Sequence, residues 1–338
     1  MKTKIALPIL SALLLFASGL MAQHIEILQQ DKPTSIRGLS VVDDSTAWIS
    51  GSRGNIAKTT DGGNTWKWQQ VKGFEKADFR GIEAFSAKEA VIMSSGTPAL
   101  ILKTTDGGNT WTEKYRNADT SYFFDAIAFE TPKHGFVLGD PINNKFVLME
   151  TKDGGETWAM FKNRPDAFPG EAAFAASGTC LRVDKNEVVI VTGGSQARQL
   201  DYVIKSNLWD YWALPITHGK ASCGAFSFAK ADDHSSKIYI GGDYSSDHKT
   251  DSVASYIKYV DNSINTPIRS PSGFQSCVEY LKDQTFLSTG TPGSNITVDG
   301  GKTWAKIDDV SYNVCRKAKK GKLILLAGDR GKIAIFKP

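Results

Sequence analysis

The octet TTDGGNTW stands at Thr59–Trp66 and again, letter for letter, at Thr104–Trp111. Close variants follow as TKDGGETW at Thr151–Trp158 and TVDGGKTW at Thr297–Trp304. Two decayed copies fill the interval: KSNLWDYW at Lys205–Trp212 keeps Asn207 and the final Trp, and KYVDN at Lys258–Asn262 keeps only Asp261. The turn residues Asp61, Asp106, Asp153, Asn207, Asp261 and Asp299 recur 38 to 54 residues apart, the length of one supersecondary unit. The composition of the octet suits a hairpin turn. An Asp carboxylate can accept from nearby backbone N–H groups, a Gly pair supplies positive φ, and a Trp folds back as an apolar plug. Asp61–Trp66, Asp106–Trp111, Asp153–Trp158, Asn207–Trp212 and Asp299–Trp304 are therefore expected to pair as structural staples.

Upstream of each octet lies a Gly with a small or turn-forming neighbour, from Gly51-Ser52 to Gly290-Thr291, with a seventh at Gly328-Asp329. Before each Gly runs a β-rich stretch such as TAWIS, KIYIG or LILLAG, and no helical period is sustained after the N-terminus. Each unit reads as four strands, A to D, with the octet between C and D. The fold expected is all-β: a seven-bladed β-propeller of four-stranded blades. The last unit lacks a D strand, and the alternating segment HIEILQQ at His24–Gln30 can supply it, closing the ring and removing its edges.

The N-terminus MKTKIALPILSALLLFASGLMAQ has a basic start, an apolar run and a small-residue cleavage site, so residues 1–22 read as a secretory signal. Residues 23–338 then form a single propeller domain, exported to the periplasm or beyond the cell, with no membrane span after cleavage. The chain carries 40 Lys and Arg against 36 Asp and Glu, and loss of Lys2 and Lys4 brings it close to neutrality. Nothing in that balance points to nucleic acid.

The octets identify the Asp-box (BNR) repeat of many secreted propellers, sialidases among them. The seven-unit layout, with FRGI at Phe79–Ile82, resembles the photosystem II stability/assembly factor-like family over essentially the whole chain after residue 22. That resemblance implies a binding or assembly module with a protein partner, and no enzyme. The alternative it leaves is a glycan-active hydrolase. Against a sialidase stand Arg37 and Arg80, each followed by Gly rather than Ile-Pro, and seven units rather than six.

In a four-stranded blade the A–B and C–D turns share one face, and the B–C and D–A connections share the other. The repeats thus occupy the first face, and the second is where they break down, across about residues 160–276. NRPDAFPGEAAFAASGT, GGSQARQLD, GGDYSSDHKTD and their neighbours are expected to converge on the channel mouth. They bring Glu171, Ser177, Arg198, Ser227, Asp243, Tyr244 and Gln275, joined by Arg37 and Arg80 from the first two A strands, into a candidate site for a protein or glycan. Were the protein a hydrolase, Glu171 and Asp243 would be its carboxylate pair, about 5–9.5 Å apart, with Tyr244 and Arg198 orienting the sugar.

Cys180, Cys223, Cys277 and Cys315 align with the small residues Gly38, Gly81 and Ala126 of the earlier A strands. Packing of small thiols around the channel is one reading. Two inter-blade disulfides, suited to export, are the other. No C-x-x-C pair or histidine spacing suggests zinc, each Asp-box offers a calcium ion only one carboxylate, and no G-x-G-x-x-G occurs. No cofactor or metal is expected.

Overall fold

The computed structural model describes residues 23–185, 187–258 and 263–338. The leader 1–22 and the turn residue Asp261 lie outside the described residues. Seven antiparallel sheets carry the chain. Blade 1 is built from strands A to D at Ile36–Val41, Ala47–Gly51, Asn55–Thr59 and Lys67–Gln70, and the same order repeats through blade 6, which ends at Ala305–Asp308. Blade 7 supplies Val314–Lys317, Ile324–Ala327 and Ile333–Lys337, and its fourth strand is His24–Gln29, paired antiparallel to Ile333–Lys337. The N-terminal strand thus completes blade 7 on its outer side and pairs the edge that Ile333–Lys337 would otherwise leave open.

The octet forms the turn its residues dictate. Asp61 Oδ1 accepts from Thr65 N at 2.9 Å, and its Oδ2 accepts from Thr65 Oγ1 at 2.6 Å. Gly62 and Gly63 take φ of 74° and 96°, and Trp66 Nε1 donates to Gly63 O at 3.0 Å. The carboxylate bonds recur at Asp106, Asp153 and Asp299. The Thr hydroxyl and amide hold the carboxyls of Asp61, Asp106 and Asp153 down at about 2.

The turn also sets the spacing between blades. A Cβ on Gly63 would come within 3.1 Å of Leu28 in blade 7, and one on Gly108 within 3.1 Å of Trp48 in blade 1. The second glycine of the octet is thus a contact with the preceding blade as well as a turn residue. Gly62 N donates to Ser45 O, and Gly107 N to Lys88 O, both at 2.8 Å, which places the A–B turns beside the octets on one face.

Blade 4 departs from the expected staple. Its C–D hairpin closes between paired residues Val203 and Leu208, a much shorter loop than that between Lys58 and Lys67. Trp212 consequently falls within strand D, paired with Gln199, and is 54% exposed. Trp209 takes the plug position instead, packing on Tyr202 and donating from Nε1 to Asn163 O at 2.7 Å. Asn207 keeps the turn role, with φ of 56° and its side-chain oxygen accepting from Tyr202.

All four cysteines are free, buried thiols. They do not share one rung: Cys223 pairs with Asp243, beyond Gly242, while Cys277 pairs with Thr289 and Cys315 with Leu326, both short of their glycines. The long A strand of blade 5, Lys220–Lys230, starts earlier than its counterparts and shifts its cysteine toward the face opposite the octets.

Candidate functional site

The face opposite the octets is rebuilt between blades 4 and 5. Glu171–Ala172, in the connection leaving blade 3, pairs with Gly193–Gly194, which pairs in turn with strand A of blade 5. Blade 5 thereby becomes a six-stranded sheet whose extra strands come from the unit before it. Glycine makes this possible. A Cβ on Gly193 would lie 2.7 Å from Gly224 Cα, and one on Gly194, at φ of 81°, would lie 2.2 Å from Gly170 O.

This graft buries Glu171. Its side chain is inaccessible, and its carboxylate accepts from Arg198 Nε at 2.9 Å, Arg198 Nη2 at 2.6 Å, Thr192 Oγ1 at 2.6 Å and Phe168 N at 2.8 Å. A fork-on-fork ion pair with both oxygens doubly bonded leaves no lone pair for acid–base work. The catalytic role expected for Glu171 therefore has no geometric support. Arg198 in turn lies between two rings, 4.6 Å from the centroid of Phe168 and 5.1 Å from that of Tyr211. Phe168 is 52% exposed, Tyr211 43% and Trp212 54%. Phe168 and Tyr211 thus flank a guanidinium locked from beneath, while Trp212, paired with Gln199, projects from the other side of the blade 4 sheet.

The other expected residues divide into three groups. Ser177, Ser227 and Gln275 are buried in a polar seam between blades. Ser177 Oγ donates to Ser276 O at 2.8 Å, Ser227 Oγ accepts from Val278 N at 2.9 Å, and Gln275 Oε1 accepts from Ser288 Oγ at 2.9 Å. They hold strands together. Asp243 caps a short 3-10 turn by accepting from Ser245 N at 2.9 Å, and the Ser222 hydroxyl leads the interactions that lower its carboxyl. Tyr244, 51% exposed, stands edge-on to Phe226 and Phe274, and Phe226 stacks on Phe174 at 3.7 Å. Tyr244 therefore belongs to an aromatic cluster of its own beside blade 5.

Arg37 and Arg80 belong to a separate polar group on blades 1 to 3. Arg37 Nη1 donates to Ser35 Oγ and Arg80 Nε to Asp78 Oδ2, both at 2.7 Å. The sequence reading missed Asp125, whose carboxyl lies within electrostatic reach of Arg80. Its carboxyl is fully buried with no hydrogen-bond partner among the described residues. Burial, reinforced by Asp140, pushes it well above the ordinary range, and Asp140 itself is pushed up to about 6 by burial. A signal was present: Ile36-Arg37-Gly38, Phe79-Arg80-Gly81 and Phe124-Asp125-Ala126 match in sequence, and each middle residue sits at a register break in strand A. Such breaks re-aim side chains at barrel rims and channel mouths.

A cavity of about 510 Å³ lies at the other end of the channel, where the A strands run out beside the octets. The sequence reading placed a candidate site on the opposite face and did not foresee this cavity. The irregular connections of blades 4 and 5 pack against one another, while the regular A–B turns leave the channel open. Among the described residues no cluster of three or more His, Cys, Asp or Glu suits a metal ion, and no helix is long and apolar enough to cross a membrane.

Comparison with known proteins agrees with this architecture. A family model described as photosynthesis system II assembly factor YCF48 matches residues 20–118. The solved structure "YCF48 bound to D1 peptide" superposes with a TM-score of 0.66 at 18% identity, covering 93% of this chain and 97% of that one. YCF48 from Cyanidioschyzon merolae gives 0.66 at 15% identity, over 93% and 99% of the two chains. The WD40 repeats of RRP9 give 0.65 at 11% identity, over 93% and 97%. No curated protein sequence matches. The chain resembles the photosystem II assembly factor propellers, and at these identities the structural likeness concerns the fold.

Proposed function

We propose that this propeller is a non-enzymatic protein-binding module that docks a partner on blades 4 and 5, on the face away from the octets. The observation that carries the reading is the surface around Arg198. Interface hot spots are enriched in Arg, Trp and Tyr, on supports that hold the side chains in place before the partner arrives. Arg198 is fixed by Glu171, Phe168 and Tyr211 flank it, and Trp212 and Tyr244 are further half-exposed aromatics on blades 4 and 5. The likeness to a propeller solved with a bound peptide supports the same reading, and an assembly role accords with it. Export rests on the leader-like residues 1–22 alone. A glycan hydrolase is the weaker reading because Glu171 is already committed to Arg198.

The test is co-purification of the tagged, exported protein with its native partner, beside the triple substitution Phe168→Ala, Tyr211→Ala, Trp212→Ala. The partner should be lost from the variant while the variant keeps the parent's circular dichroism and melting point. Equal recovery with both proteins overturns the assignment of the face. Turnover of fluorogenic glycosides by the parent would overturn the non-enzymatic reading.

A further inference from the structure

The channel cavity on the octet face lies away from the aromatic surface and is not used by the reading above. Its volume, about 510 Å³, falls in the range of small-molecule sites rather than protein interfaces. Its walls are chemically divided. Blades 1 to 3 contribute an apolar side: Val42, Pro132 and the rings of Phe85 and Phe129, which meet edge to face at 5.0 Å. Blades 4, 6 and 7 contribute a charged side, with Arg182, Arg316, Lys317 and Lys320 around the single carboxylate of Glu279.

The charges on that side do not balance. Arg182 Nη2 lies 2.9 Å from Glu279 Oε2, and its guanidinium also donates to Phe228 O and Val278 O. Arg316 has only a long contact, 3.7 Å, to the same Glu279 oxygen, and among the described residues it donates no hydrogen bond. Its side chain is 20% exposed and lines the cavity, so a guanidinium with five N–H donors is offered there with no protein acceptor for them among the described residues. The other acidic wall residues are committed elsewhere, Glu83 to Lys319 and Glu130 to His134. An excess positive charge in a concave, partly desolvated site attracts an anion, and the guanidinium fork matches a carboxylate in shape.

We propose that this cavity binds a small organic carboxylate with an apolar body. Its carboxylate pairs with Arg316, assisted by Lys320 at the rim, and its hydrocarbon part lies against Phe85, Phe129 and Val42. Charge alone would select any anion and the aromatic wall alone any hydrocarbon, so only a molecule carrying both satisfies the two sides.

The probe is octanoate, titrated calorimetrically into the chain from Gln23 onward, with acetate and octan-1-ol as single-feature controls. Octanoate should bind one to one, and each control at least about tenfold more weakly, a difference of about 1.4 kcal/mol. Arg316→Gln should weaken octanoate about tenfold at an unchanged melting point, because that side chain makes no structural hydrogen bond. Val42→Trp, which fills the apolar side, should abolish binding while leaving the aromatic surface of blades 4 and 5 untouched. Absence of saturable octanoate binding overturns the proposal. So does equal affinity for acetate or octan-1-ol, or affinity unmoved in both folded variants.

Discussion

Replacing Glu171 by Ala separates a buried strut from a catalytic carboxylate. The structure gives the magnitude. The substitution removes a two-pronged ion pair whose side chains are 0% and 11% exposed, and it strands Arg198, the Thr192 hydroxyl and the Phe168 amide. Breaking a buried pair by removing one partner costs about 3–5 kcal/mol, because the remaining charge is left uncompensated. Urea unfolding followed by tryptophan fluorescence should show the loss as a lower midpoint at unchanged slope. The double substitution Glu171→Leu with Arg198→Leu should recover much of it, since apolar replacement of both partners is often close to neutral. Were Glu171 instead a strained site carboxylate, its removal would leave stability unchanged or raise it. A change within about 0.5 kcal/mol for Glu171→Ala, or no recovery in the double variant, refutes the strut.

Three further outcomes follow from the same geometry. Asp140, raised to about 6 by burial, contributes stability below its unfolded value near 3.8 that is lost as pH rises through 6. Asp140→Asn should therefore be on the order of 2–3 kcal/mol more stable than the parent at pH 7.5, and the gain should vanish below pH ~4. The Asp-box carboxyls act in the opposite sense: held at about 2, they stabilise the fold above pH ~4 and lose that effect as pH falls toward 2. Acid titration of the triple variant Asp61→Asn, Asp106→Asn, Asp153→Asn should show a flatter decline across that window, and an unchanged slope would count against the carboxylate staple. A thiol reagent should find no reactive cysteine in the native protein and all four after unfolding. Fewer than four would show that disulfides form.

Where the sequence was legible, local chemistry decided the structure. The octet carries its own turn, and the alternation in His24–Gln29 was enough to pair it with Ile333–Lys337. What escaped depends on residues distant in sequence. Trp212 matches the octet in print, but a shorter hairpin hands its place to Trp209. Glu171 and Arg198 lie far apart in sequence, and only folding shows that they satisfy each other. Asp125 was missed because a single Asp in a strand has no visible partner until Arg80 and Asp140 are placed beside it. The octet-face cavity was missed because repeated turns suggested scaffold alone, and the wall it exposes is assembled from blades 1 to 4, 6 and 7.

The docking face is tested most directly by site-specific photocrosslinking in the cell that makes the protein. A benzophenone amino acid at position 211 or 244 should give a discrete covalent adduct with the partner. The same residue at position 298, in the exposed octet of blade 6, should give none. Adducts only from position 298, or from none of the three, would contradict partner binding on blades 4 and 5.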